Sequence, residues 1–120
     1  MKRVLVVDDA VFMRTMIKDI LTRNGFTVVG EAATGVEAVD KYNYLKPDLV
    51  TMDITMPEMD GISALKIILE NDVDARVVMV SAMGQEKLIF EALGAGAVDF
   101  ITKPFQPNKI IKTLTNSLNK

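Results

Sequence analysis

Two residue types that carry much of enzyme chemistry, cysteine and histidine, are absent from the 120-residue sequence. Their absence excludes a cysteine or histidine nucleophile, an imidazole base, a Ser-His-Asp triad and a structural zinc site. Any metal must then be held by oxygen ligands, which favours Mg²⁺, Mn²⁺ or Ca²⁺. Any nucleophile must be a carboxylate, a hydroxyl or a lysine.

The sequence also has little net charge and no long hydrophobic run. A formal charge of −2 provides no basic surface for a nucleic acid. No stretch approaches membrane-spanning length, and the apolar segment after Lys2 and Arg3 is too short for a signal peptide. Because 49% of the residues are hydrophobic, the chain can build its own core. We therefore expect one domain over residues 1–120, located in the cytoplasm.

Strand and helix patterns alternate along the whole chain. Short runs rich in Val and Ile predict five strands, at 3–8, 27–31, 48–52, 76–80 and 98–102. Amphipathic segments predict helices at 10–24, 36–46, 62–70 and 85–93, and a fifth helix that starts at Pro107. Within these helices we expect Phe12 and Val36 to face the core.

Five successive strand–helix units predict an α/β fold. Right-handed crossovers make it a doubly wound (βα)5 arrangement with a five-stranded parallel sheet, in which we expect the first, third, fourth and fifth strands to be buried on both faces. The simplest strand order is 2-1-3-4-5, an order already known for doubly wound folds of the flavodoxin-like kind.

Four of the predicted strands end on residues that can handle a metal or a phosphate. The first runs into Asp8 and Asp9, the third into Asp53, the fourth into Ser81 and the fifth into Lys103. Ligands of open α/β sheets bind just outside the carboxyl ends of the strands. We therefore expect three carboxylates, a hydroxyl and an ammonium to meet at one place.

Each of these residues also has an ordinary structural interpretation. Asp8 and Asp9 could cap the following helix, Ser81 could serve in a turn, and Lys103 could be a surface lysine. The combination is better explained by chemistry, since three acids at close range need a cation to offset their repulsion. Mg²⁺ suits such a cluster, with carboxylates, one backbone carbonyl from the loop after Asp53, and waters as ligands. Because no His or Cys is present, we expect Asp53 to be the nucleophile of a phosphoryl-transfer site.

The motifs around these residues resemble the receiver domain of two-component response regulators over almost the whole chain. The matching segments are Val-Val-Asp-Asp at 6–9, Met-Asp-Ile-Thr-Met-Pro-Glu-Met-Asp-Gly at 52–61, Ser-Ala at 81–82 and Lys-Pro-Phe at 103–105. Segments such as Ser-Ala-Met-Gly-Gln at 81–85 look most like the CheY-type chemotaxis regulators.

The resemblance implies a role for each site residue. Asp53 would accept a phosphoryl group, and Mg²⁺, or Mn²⁺ as a substitute, would be held by Asp8, Asp9, Asp53 and the carbonyl of Thr55. Ser81 and Lys103 would bind the phosphoryl group. The family often has a cis peptide bond before the proline that Pro104 matches here.

The same resemblance implies a switch and its partners. Ser81 and Phe100 would form the switch, while Thr55 and Met83 would tune the phosphoryl lifetime. The output surface would lie on the fourth helix, the fifth strand and the last helix. The implied partners are a CheA-type histidine kinase, a motor switch protein and a phosphatase. The protein would be a cytoplasmic monomer that phosphorylates and dephosphorylates itself without multiple turnover.

Two other functions fit the same residues. One is a stand-alone receiver in another pathway, such as a phosphorelay, pilus motility or transcription. The other is a Mg²⁺-dependent phosphohydrolase that works through an aspartyl-phosphate. Haloacid-dehalogenase-type enzymes carry a second acid two residues after the nucleophile, where this chain has Thr55.

Overall fold

The computed structural model describes residues 2–120, in which five strands alternate with five helices. The strands are β1 (Arg3–Val7), β2 (Thr27–Ala32), β3 (Leu49–Asp53), β4 (Val77–Ser81) and β5 (Asp99–Thr102). The helices are α1 (Val11–Arg23), α2 (Gly35–Leu45), α3 (Gly61–Asn71), α4 (Glu86–Ala95) and α5 (Pro107–Leu118). All ten predicted elements are present, and their ends differ from the predicted ends by no more than about two residues, the usual uncertainty of helix and strand limits.

All strand pairs are parallel, and the strands lie in the order β2-β1-β3-β4-β5. The prediction of a doubly wound parallel sheet is therefore confirmed. Because β1 and β3 are adjacent and their connections leave in opposite directions, the reversal point of the sheet lies between them. The carboxyl ends of these two strands carry the predicted acids.

Two hydrophobic layers cover the two faces of the sheet. Alternate residues of β1 divide between them, with Leu5 and Val7 in the layer under α2, α3 and α4, and Val4 and Val6 in the layer under α1 and α5. The strands β3 and β4 are buried at every position. The edge strands β2 and β5 are only partly buried, so the prediction of burial on both faces was correct for the central strands and wrong for β5. An edge strand lacks a neighbour on one side, and the helices do not cover it fully.

Two predicted core residues are exposed. Phe12 has 77% of its surface accessible and Val36 has 42%. Both lie in the first turn of a helix that starts beyond the carboxyl end of a strand, where there is no sheet to cover them. The last helix buries two polar residues, Thr113 and Ser117, and each of their hydroxyls donates to the carbonyl four residues earlier.

None of the helices within residues 2–120 is both long and apolar enough to cross a membrane.

Candidate functional site

Asp8 is fixed at the carboxyl end of β1 by its backbone and its side chain. Its N–H donates to the Ala32 carbonyl at 3.0 Å, and its carboxylate accepts from the Ala10 N–H at 2.9 Å. The side chain of Asp8 is buried, whereas Asp9 is exposed. The N-cap residue of α1 is Ala10, which makes no side-chain capping bond. The acids therefore do not cap α1, contrary to the simpler interpretation of this pair.

Asp53 ends β3 with 8% of its surface accessible. Its carboxylate oxygen Oδ1 accepts from the Ile54 N–H at 2.9 Å. The chain then returns to this point at Gly61, whose N–H donates to the Ile54 carbonyl at 2.7 Å. A Cβ at Gly61 would lie 1.9 Å from the carbonyl oxygen of Asp53. Only glycine allows this close approach, so Gly61 shapes the site although sequence reasoning did not select it.

Lys103 brings a positive charge to both buried acids. Its ammonium lies 3.0 Å from Asp8 Oδ2 and 3.5 Å from Asp53 Oδ1. Its backbone N–H donates to the Ser81 carbonyl at 2.7 Å, which fixes the end of β5 to the end of β4. The following peptide bond, Lys103–Pro104, is cis, as the family resemblance implied. A solvated surface lysine would not make these contacts.

Burial and crowding raise the pKa of the Asp53 carboxyl to about 6. Loss of hydration is the largest cause, and repulsion from Asp8 adds to it. The ammonium of Lys103 acts in the opposite direction. The site therefore holds more negative charge than one lysine balances, and a further cation would relieve the imbalance.

The acid cluster fits a small hard cation. One carboxylate oxygen from each of Asp8, Asp9 and Asp53 lies within 4.8 Å of the others. Octahedral Mg²⁺ binds oxygen ligands at about 2.1 Å, so a modest closure of this cluster would suffice. The carbonyl of Thr55 accepts no hydrogen bond within residues 2–120 and is available as a further ligand.

Ser81 contributes a buried hydroxyl to the same end of the sheet. Its side chain is completely buried, and its Oγ has no hydrogen-bond partner among the described residues. Leaving a buried hydroxyl unpaired costs stability, so its persistence calls for an explanation. Thr51 has an equally unpaired hydroxyl, but it lies two residues inside β3 and away from the strand end. Of these two hydroxyls, only that of Ser81 is at the end where the acids meet.

The remaining predicted residues lie at the rim. Thr55 is exposed, and its Oγ1 accepts from Gln85 Nε2 at 3.0 Å. Met83 lies in the loop after β4 and is 78% accessible. Phe100 is 37% accessible and lines an apolar groove of about 340 Å³ together with Met83 and Phe90.

Two further residues that reach the site were not selected from the sequence. The Arg14 guanidinium donates to the Asp8 carbonyl at 2.6 Å and to Glu31 at 3.0 Å. Hydrogen bonds from Lys18 and Arg14 hold the pKa of Glu31 below its usual range. Arg14 lies on the polar face of α1, where the sequence pattern indicates only a solvated charge. The second residue, Gln85, joins two loops and gives no local signal that it does so.

Comparison with known proteins agrees with the fold. Residues 4–115 match the response regulator receiver domain. The chain is 59% identical over 117 residues to the chemotaxis protein CheY of Bacillus subtilis, covering 98% of each protein. A solved structure, the CheX–CheY–BeF₃–Mg²⁺ complex from Borrelia burgdorferi, contains a chain similar at a TM-score of 0.93 and 45% identity, with 98% of this chain and 90% of that chain covered. The response regulator domain of Thermotoga maritima CheB reaches a TM-score of 0.92 at 44% identity, covering 98% of this chain and 96% of that chain.

These matches extend over nearly the whole chain and agree with the fold seen here. The protein therefore belongs to the response regulator receiver domain family and is of the CheY chemotaxis type.

Proposed function

We propose that this protein is a phosphorylation-dependent switch and that Asp53 is its phosphoacceptor. The supporting observation is the position of Asp53, a buried carboxylate at the point where two other acids and the Lys103 ammonium meet. Phosphoryl transfer depends mainly on positioning and charge neutralisation, and this cluster can provide both. We further propose that residues 1–120 act as a single receiver domain and as a monomer in the cytoplasm.

The donor we propose is a phosphohistidine on a CheA-type histidine kinase. An oxygen of Asp53 attacks the phosphorus, the new O–P bond forms, and the N–P bond to the imidazole breaks. The Lys103 ammonium contacts both Asp8 and Asp53, so it can pair with the negative charge of the phosphoryl oxygens. Mg²⁺ bound by Asp8, Asp9, Asp53 and the Thr55 carbonyl would supply further charge neutralisation, and Mn²⁺ would serve as a substitute.

The phosphoryl group would be sensed by Ser81 and Phe100. It adds negative charge and acceptor oxygens, and the unpaired Ser81 hydroxyl is a donor that lacks a partner in the present arrangement. The group can shift only an equilibrium between arrangements that differ in their contacts with it. Phe100 borders the apolar groove beside α4, so a change of its side chain would alter that surface. We propose a motor switch protein as the output partner there and a separate phosphatase as the step that resets the signal.

The central test uses acetyl phosphate, Mg²⁺ and intact-mass measurement. We expect the wild-type protein to gain one phosphoryl group and Asp53→Asn to gain none. Asp40→Asn is a matched control, because Asp40 is exposed on α2 and outside the acid cluster. A wild type that gains nothing, or an Asp53→Asn variant that still gains the group, would exclude Asp53 as the phosphoacceptor.

Two variants test the roles at the rim and in the switch. We expect Ser81→Ala to be phosphorylated but to bind its partner less tightly when phosphorylated, and equal affinity for the two proteins would contradict this. Thr55 and Met83 are not general bases, so we expect slow to moderate intrinsic dephosphorylation. If Met83 only shields the phosphoryl group, Met83→Ala must not lengthen the half-life sharply.

Receivers of other pathways are a second candidate, since a two-component response regulator of the LuxR family from Aurantimonas has the same fold at a TM-score of 0.92 and 31% identity, with 98% of this chain and 84% of that chain covered. Pull-down with flagellar switch proteins, with and without a phosphoryl donor, separates the two. Chemotaxis predicts capture that depends on the donor, and another pathway predicts none.

A further inference from the structure

The side chain of Gln85 joins the two loops that follow β3 and β4. Its Oε1 accepts from the Ala82 N–H at 2.7 Å, and its Nε2 donates to Thr55 Oγ1 at 3.0 Å. The orientation of the amide is fixed, because a backbone N–H can only donate and therefore requires the oxygen of Gln85 on its side. The Gln85 side chain thus makes one hydrogen bond to each of the two loops.

These loops carry the groups that react and respond in the proposed function. Thr55 follows Asp53 by two residues, and Ala82 directly follows Ser81. Gln85 is itself anchored at the start of α4, where its carbonyl accepts from the Ile89 N–H at 3.0 Å. The bridge therefore ties the ends of two neighbouring strands to each other and to α4.

The unpaired hydroxyl of Ser81 suggests what this bridge restrains. Ser81 Oγ is buried without a partner, which is a costly state, while the next residue is held in place by Gln85. A phosphoryl group on Asp53 would offer the acceptor that Ser81 lacks. The N–H of Ala82 adjoins Ser81, so a shift of Ser81 toward that acceptor would strain the hydrogen bond between Ala82 and Gln85.

We infer that Gln85 is a latch that stabilises the unphosphorylated arrangement of the site and opposes the response of Ser81. This inference rests on the proposed phosphorylation of Asp53. Gln85 would act as a positioning residue, since it touches the loops and not the reacting atoms. Removing the latch should make the phosphorylated arrangement easier to reach.

The test uses beryllofluoride with Mg²⁺ as the probe and the full chain as the protein. Binding is followed by the amide resonances of ¹⁵N-labelled protein, and stability is followed separately by urea unfolding. We expect Gln85→Ala to bind beryllofluoride about three- to tenfold more tightly than wild type, because it removes both hydrogen bonds of the bridge and each net hydrogen bond changes an equilibrium by about a few-fold. Thr55→Val removes only one side of the bridge, and we expect it to tighten binding by about two- to threefold. Gln106→Ala is the matched control, because Gln106 precedes α5 at the same end of the sheet and makes no side-chain capping bond.

The outcomes separate the latch from the proposed function. Tighter binding by Gln85→Ala, with Gln106→Ala unchanged, supports the latch, and a small loss of stability in the same variant would strengthen it. A residue with a purely structural role would lose stability and affinity together. Equal or weaker binding by both bridge variants overturns the latch while leaving the function intact. If wild type does not bind the probe, or if Asp53→Asn binds it equally well, the proposed function is overturned and the latch with it. If Gln85→Ala does not fold, the affinity of Thr55→Val for beryllofluoride tests the latch in its place.

Discussion

Replacing Asp53 by Asn should stabilise the metal-free protein at neutral pH. The pKa of this carboxyl is raised from 3.8 to about 6, chiefly by burial and then by Asp8. The folded protein thus holds the proton more tightly than the unfolded chain does. The stability linked to this group is complete below pH 3.8 and is lost as the pH rises through about 6. At neutral pH, the folded wild type therefore carries an unfavourable buried charge that Asn removes.

The size of the effect follows from the pKa change. Each pKa unit corresponds to about 1.4 kcal/mol, so the shift sets an upper limit of about 3 kcal/mol at neutral pH. Asn can keep the hydrogen bond from the Ile54 N–H, and Lys103 keeps its contact with Asp8. We therefore expect a gain of about 1–3 kcal/mol in the free energy of unfolding.

Urea unfolding followed by circular dichroism measures this gain. In EDTA, Asp53→Asn should be more stable than wild type at pH 7.5, and the two should differ by less than about 0.5 kcal/mol at pH 4, where the carboxyl is neutral in the folded state. Added Mg²⁺ should reduce the difference in unfolding free energy between Asp53→Asn and wild type at pH 7.5, because it stabilises the wild type by binding to the folded protein. Asp40→Asn supplies the exposed control. A gain of the same size at both pH values, or no gain at pH 7.5, would refute the electrostatic reasoning.

Three further predictions concern the surroundings of the site. Gly61→Ala should destabilise the protein by about 2 kcal/mol or more in urea unfolding, because the added Cβ would lie 1.9 Å from the carbonyl oxygen of Asp53 in β3. Gly94→Ala is the control and should be neutral or stabilising, because a Cβ at this position of α4 would meet no atom within 4 Å. Thr51→Val should raise the unfolding free energy by about 1 kcal/mol, since it removes a buried unpaired hydroxyl with little change of shape, and a loss would mean that the hydroxyl has a partner in solution. Lys103→Met should lower the stability of the metal-free protein at pH 7.5 by about 1–3 kcal/mol, because the buried Asp8 loses its cation at 3.0 Å, and Mg²⁺ should restore part of this loss. Equal stability of Lys103→Met and wild type in EDTA would show that the ion pair contributes nothing.

The sequence was a reliable guide to the elements and to the location of the site. Strand-like runs that end on Asp8, Asp53, Ser81 and Lys103 indicate a shared site, because parallel strands bring their carboxyl ends to one edge. The absence of His and Cys limited its chemistry to oxygen ligands and a carboxylate nucleophile. These inferences need only the residue types and their order within each strand. Such short-range patterns can be read directly from the sequence.

The exposed first turns show where such reasoning fails. Phe12 fits the apolar period of α1 but lies beyond the sheet, at 77% accessibility. Periodicity describes which face of a helix a residue occupies, and it does not reveal whether anything covers that face.

Contacts between distant segments were decided only by the tertiary structure. The bridge from Gln85 to Thr55 spans 30 residues, and the bond from Lys103 to Asp8 spans 95. The pKa of Asp53 depends on burial and on charges from other strands, so no local pattern could predict it. The sequence by itself determined which chemical groups are available and at which edge of the sheet they collect. Only the folded chain determined which of them touch, which are buried and which hydroxyl remains unpaired, because these properties depend on distances between atoms that the linear order does not contain.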